Sequence, residues 1–150
     1  MSLMNRRTRK YTNSNHKEMK NVLLYIWQLP QTLLGYLVLF FCKVEKTLDY
    51  HGVRVRVCKF PGGISLGEVI IVSKYPTNQR LWNDVKHEYG HHLQSVRLGW
   101  FYLPLIGLLS LLGNIYDRVF HSGWSIEKSS KWYYSQPWEK GADILGGVER

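Results

Sequence analysis

His87-Glu88-Tyr89-Gly90-His91 places two imidazoles and a carboxylate at helical spacing within Pro76 to Leu98, a segment whose pattern reads as one helix. Thr77 or Asn78 can cap its start, and Gly99 follows its last periodic residue. Residues four apart share a helix face about one turn apart, so His87 and His91 can grip one metal ion from a single rigid element. The HExxH spacing suits Zn²⁺: neutral imidazoles ligate it, and the residue after the first His, Glu88, is the natural general base for a zinc-bound water. A helical glycine costs about 1 kcal/mol relative to alanine. Gly90 beside His91 therefore points to the close approach of a neighbouring chain.

Two histidines do not close a catalytic zinc site, which takes three protein ligands and an open position. Glu139 is the best third candidate, in Pro137-Trp138-Glu139-Lys140-Gly141-Ala142-Asp143-Ile144-Leu145-Gly146-Gly147. Ser135 or Gln136 can cap this segment and Pro137 suits a first helical turn. Asp143, four residues on and on the same face, is positioned to accept the outer N–H of a metal-bound His, which fixes the tautomer of that ring.

The two motifs together resemble the gluzincin zinc metallopeptidases, in which HExxH is completed by a glutamate on a later helix. The nearest likeness is to the membrane peptidases of the HtpX and CAAX-prenyl-protease family, whose second motif, E-x-x-A-D followed by glycine, is matched by Glu139, Ala142, Asp143 and Gly146. In size the chain is more similar to the compact minigluzincins. The resemblance covers about Asn78 to Gly147 and implies zinc ligands His87, His91 and Glu139. It implies Glu88 as general base and acid, and Asp143 as the residue that orients a ligand His. Unlike larger members, the chain has no long hydrophobic hairpin pair between the motifs and no obvious substrate-binding domain. His92, Tyr133, Tyr134 and His121 are all eligible by chemistry to stabilise a transition state, and spacing selects none.

A chain of 150 residues is one domain that can bury a core without a disulfide framework. Cys42 and Cys58 stand in no CxxC or CxxH pair and read as reduced, buried side chains. The formal net charge is +9, and the first 20 residues hold six basic side chains against Glu18 alone. Rich in Asn, Ser and Thr, they read as a basic disordered tail. Such a tail can meet nucleic acid or an anionic membrane, and the sequence that follows favours the membrane and makes nucleic acid the unlikely partner.

That sequence is the apolar segment 21–43. Its run Val22 to Cys42 is interrupted by Gln28, Pro30, Gln31 and Thr32. Roughly 20 residues suffice to cross a bilayer, but this polar centre makes a straight span expensive. A kinked span, an interfacial or re-entrant helix pair broken at Pro30, and a buried core helix all remain open. A signal peptide is disfavoured, since no small-residue cleavage site follows and Lys43 does. The second apolar stretch, Leu98 to Ile115, carries aromatic residues at both ends. It lies between His91 and Glu139, so a full crossing would put the ligands on opposite sides of the membrane. A real zinc site requires this stretch to dip and return, lie along the interface or pack in the protein.

Gly52 to Phe60 alternates Val53, Val55 and Val57 against Arg54, Arg56 and Cys58, the period of a half-solvated strand. Ile64 to Val72 reads as a second strand, with Pro61-Gly62-Gly63 as the turn of a hairpin. One edge of this sheet could hold an extended peptide. The expectation is an α+β, zincin-like fold: a basic tail 1–20, an apolar helical segment 21–43, and a metallopeptidase domain 44–150 with an apolar insert 98–115. Its activity would be zinc-dependent hydrolysis of peptide or protein substrates. It would be membrane-associated through residues 1–43, with the site on the cytoplasmic side slightly favoured. The alternative is a non-catalytic membrane-associated binder with a structural or vestigial zinc site.

Overall fold

The structure is a computed structural model that describes residues 22–75 and 77–149, so the basic tail read in residues 1–20 lies outside it. The described chain is α+β, with a mixed four-stranded sheet and six helices. Strands β1 (Val44–Tyr50) and β2 (Val53–Cys58) form an antiparallel hairpin. Its two loop residues, His51 and Gly52, have φ of 51° and 79°. Positive φ at both central positions is the turn whose twist matches that of the flanking strands. The Asp49 carboxylate accepts the Gly52 N–H at 3.2 Å.

The hairpin expected across Pro61-Gly62-Gly63 does not form. The stretch Ile64 to Val72 is two strands, β3 (Ile64–Leu66) and β4 (Val69–Ser73), paired antiparallel. β4 inserts beside β2 in parallel, giving the order β1-β2-β4-β3. The chain reverses at Gly67, whose φ is +61°. The ring of His92 binds the Gly67 carbonyl at 2.8 Å, and Glu68 N–H donates to Thr32 Oγ1 at 3.3 Å. Every residue of β4 is buried. Its unbroken Val69-Ile70-Ile71-Val72 run fits a central strand covered on both faces rather than the edge of a hairpin.

Both covers are helical. Helix α3 (Asn78–Leu98) sets Val85 and Leu81 against Val55, Val57, Ile70 and Val72. On the opposite face Val38 and Leu39 of helix α2 (Leu29–Phe40) meet Cys58, Val69 and Ile71. A short helix α1 (22–27) precedes α2, and the break falls at Gln28, ahead of Pro30. The polar residues of this apolar run point into the protein. Ser95 Oγ donates to Gln28 Oε1 at 2.8 Å, and Gln31 Nε2 donates to Ser95 Oγ and to the Gly99 carbonyl at 3.1 and 2.8 Å.

After α3 the chain runs through a 3-10 turn (Gly99–Phe101) and a π-helical turn (Leu103–Gly107) into α4 (Leu108–Phe120). Helices α5 (Ile126–Tyr134) and α6 (Pro137–Gly146) complete the described chain. Both cysteines are free. Cys58 is buried as expected, but Cys42, at the end of α2, is only half-buried.

Candidate metal centre

Helices α3 and α6 pack closely because glycines face backbone across their contact. A Cβ on Gly90 would run into the Ala142 carbonyl, and one on Gly146 into that of Lys86. The expectation from Gly90 thus has its partner. This approach brings the carboxylate of Glu139 onto both imidazoles, with its Oε2 3.0 Å from His87 Nε2 and 3.2 Å from His91 Nε2. The three side chains are buried and their ligand atoms lie within 4.8 Å of one another.

The outer ring nitrogens are occupied. His87 Nδ1 donates to Asp143 Oδ1 at 2.7 Å, as the sequence suggested. His91 Nδ1 donates to Gln94 Oε1, also at 2.7 Å, while Gln94 Nε2 donates to the Trp138 carbonyl at 2.8 Å and so fixes the amide's orientation. With the protons of neutral rings at Nδ1, both Nε2 lone pairs converge on a carboxylate oxygen. Three electron-rich atoms held this way repel one another, and a cation or a proton between them relieves this. The two imidazole–carboxylate separations, 3.0 and 3.2 Å, are of the size that ligands sharing one ion take up. The buried group can hold a metal ion.

With no ion between them, the same side chains share protons instead. Burial alone would push the His87 imidazole down, but its bonds to Asp143 and Glu139 prevail and raise it to about 10. Burial likewise opposes ionisation of Glu139, yet the hydrogen bonds from His87 and His91 hold its carboxyl well below the ordinary range. Burial pushes Glu88 up to about 7. Glu88 stands apart from the three ligand atoms, with its carboxylate where a Cβ on Gly63 would be.

No family model, curated protein or solved structure matches the chain. The geometry of the centre is therefore the ground for any functional reading.

The four eligible donors separate in space. Tyr133 donates its hydroxyl to Glu139 Oε1 at 2.9 Å, and burial raises its pKa well above the ordinary tyrosine value. The Tyr134 ring lies edge-on to His87, with centroids 5.2 Å apart. His92 holds Gly67, and His121 binds Asp117 at 2.8 Å while stacking on Trp124. Two participants were not anticipated. Gln94 carries a weak signal, since it follows His91 by three residues and falls on the same face. Ser110 donates to Glu139 Oε1 at 2.5 Å and lies 2.9 Å from the Tyr133 hydroxyl. The trace it leaves in the sequence is a hydroxyl amid an uncharged apolar run. The expected peptide-holding edge is partly engaged, because Tyr102 donates its hydroxyl to the Ser65 carbonyl of β3 at 2.8 Å.

Proposed function

We propose that the chain is a zinc-dependent metallopeptidase with a zincin-like fold and a gluzincin ligand set. The observation that carries the reading is the convergence of His87 Nε2, His91 Nε2 and Glu139 Oε2, with both outer ring nitrogens engaged. Two imidazoles and a carboxylate suit zinc better than magnesium or calcium, which prefer all-oxygen shells. Three ligands rather than four favour a catalytic over a structural site. When bound, zinc supplies Lewis acidity that polarises a peptide carbonyl and acidifies water.

The remaining chemistry falls to the side chains. Glu88, on the same helix as the imidazoles, takes the proton of the attacking water and returns it to the leaving amine. Its elevated proton affinity suits a group that must do both near neutral pH. Asp143 and Gln94 keep the ring protons on the outer side. Ser110 and Tyr133 occupy Oε1 of Glu139, leaving Oε2 as its ligand atom. Membrane association through the outward side of α1 and α2 belongs to the same reading, supported by exposed Leu33, Leu37, Phe40 and Phe41.

Purified protein should contain near-equimolar zinc by elemental analysis, and His87→Ala, His91→Ala or Glu139→Ala should abolish it. Glu88→Gln should keep zinc and fold but lose roughly 10²–10⁴-fold or more of peptide hydrolysis. Zinc-loaded wild type that cleaves nothing in a diverse peptide library, membrane-derived sequences included, would leave the binder as the better account.

A further inference from the structure

Two elements of this chain are built inside out. Helix α2 buries Gln31, Thr32 and Gly35, yet Phe40 and Phe41 at its end stay 82% and 79% exposed. Helix α4 buries only Gly113, which lies against Trp138 and Tyr133, and it exposes Leu108, Leu112 and Ile115. The helical run Leu103–Phe120 is apolar enough to cross a membrane, and Gly113 is its one buried residue. In water, a helix turns its large apolar side chains inward. Small and polar residues inside with large apolar residues outside is the packing of a protein whose solvent on that side is hydrocarbon. Contiguous apolar surface beyond a few hundred Å² marks an interaction site.

The two faces join. Trp27 Nε1 donates to the Val96 carbonyl at 3.1 Å, and Trp100 Nε1 donates to the Ile26 carbonyl at 2.9 Å, tying α1 to the turn from which the second apolar run departs. No charged residue lies in Val22–Cys42 or in Leu98–Tyr116. Lys20 and Lys43 flank one and Arg97 and Arg118 the other, where Asp117 precedes Arg118 and is held by His121 and Ser129. A second copy would bring a net charge of +9 against the same charge. Anionic headgroups complement it.

We infer that the outward faces of α2 and of Trp100–Phe120 form one belt seated in an anionic lipid surface, with α4 lying along that surface instead of crossing it. A crossing would carry its neighbours inward. Ser110, near the middle of the apolar run, touches Tyr133 of α5 and Glu139 of α6. α5 exposes Glu127, Lys128 and Lys131, which would be drawn toward the hydrocarbon. Lying flat, α4 keeps its leucines in the acyl boundary and its Ser110 side toward the protein. Resting on the metal-site reading, a consequence follows: the third ligand sits one hydrogen bond from the membrane-bound helix.

The test uses the full chain, flotation with phosphatidylglycerol-containing vesicles, and tryptophan quenching by lipids brominated on their acyl chains. Wild type should float and be quenched. Leu33→Glu/Leu37→Glu and Leu108→Glu/Leu112→Glu, all at exposed positions, should each lower partitioning about 10-fold or more. If the α4 pair floats like wild type while the α2 pair does not, the belt ends at α2 and the inference fails. It also fails if wild type ignores vesicles and forms a dimer that the α4 pair dissociates, since the face then belongs to a second copy. Should any variant misfold, quenching of wild type still decides whether its tryptophans reach the acyl layer. Zinc is measured in the same samples. Vesicle binding without zinc removes the peptidase reading alone, and zinc loading with indifference to vesicles removes the belt alone.

Discussion

With the Nδ1–H groups of neutral His87 and His91 donated to Asp143 and Gln94, each ring presents a lone pair to the space beside Glu139. Partners of this kind govern affinity without touching the metal: Asp143→Asn and Gln94→Ala should each weaken zinc binding about 10–100-fold in competition with a chelator. An unchanged affinity in Gln94→Ala would mean that the backbone alone orients His91. In the metal-free chain a second proton on His87 takes the role of the cation, which is why its pKa rises from 6.5 to about 10. That contribution is fully present below pH 6.5 and is lost as pH climbs toward 10. Glu88, raised from 4.5 to about 7, also favours its protonated form and loses stability over that rise. Glu139 has the opposite sign, its carboxyl being lowered, so its contribution is lost only in acid, below its ordinary value. Chelator-treated protein should therefore melt at falling temperature between about pH 5 and 10, while the stabilisation given by added zinc grows over the same range. A flat or rising metal-free profile would contradict the proton-filled centre.

Helices α3 and α6 were legible because their information is local. The capping positions, the i,i+4 spacing of His87 with His91 and of Glu139 with Asp143, and Gly99 at φ 53° lie within single segments. Even their contact left a mark in Gly90. A methyl at Gly90 would meet backbone at Ala142, so Gly90→Ala should cost about 1–3 kcal/mol, the usual scale of overpacking. It should also lower zinc affinity by moving Glu139 away from the imidazoles. Gly123→Ala, where an added Cβ meets nothing within 4 Å, is the control for both measurements. The sheet was less legible for the reciprocal reason. β2 and β4 pair in parallel across an intervening strand, and the signal that splits Ile64 to Val72 is Gly67, whose reversal is held by His92 and Thr32 from distant helices. Gln28 and Gln31 read as an interruption of an apolar run for a similar cause, since their partners Ser95 and Gly99 lie more than sixty residues away.

At the scale of the whole molecule, the site and the apolar run between its ligands constrain each other. His91 and Glu139 meet at 3.2 Å, so the chain from one to the other crosses a bilayer an even number of times or not at all. The run Leu103–Phe120 is one helix of 18 residues, about 27 Å at 1.5 Å per residue, and two spans would need roughly 40 residues. The return through α5 is nine residues long and charged, so it cannot serve as the second span. Zero crossings between the ligands is the one arrangement compatible with the centre. Single cysteines at Asn78 and Lys140, both exposed and at opposite ends of this part of the chain, should then react with a membrane-impermeant thiol reagent from the same side. The background lacks Cys42 and Cys58, and its zinc content serves as the check that the centre is intact. The bracketing charges leave the side open, because Lys43 and Lys46 blunt the excess of basic residues before Val22. Labelling from opposite faces of a sealed vesicle would separate Glu139 from His91 by a bilayer and would falsify the three-residue centre itself.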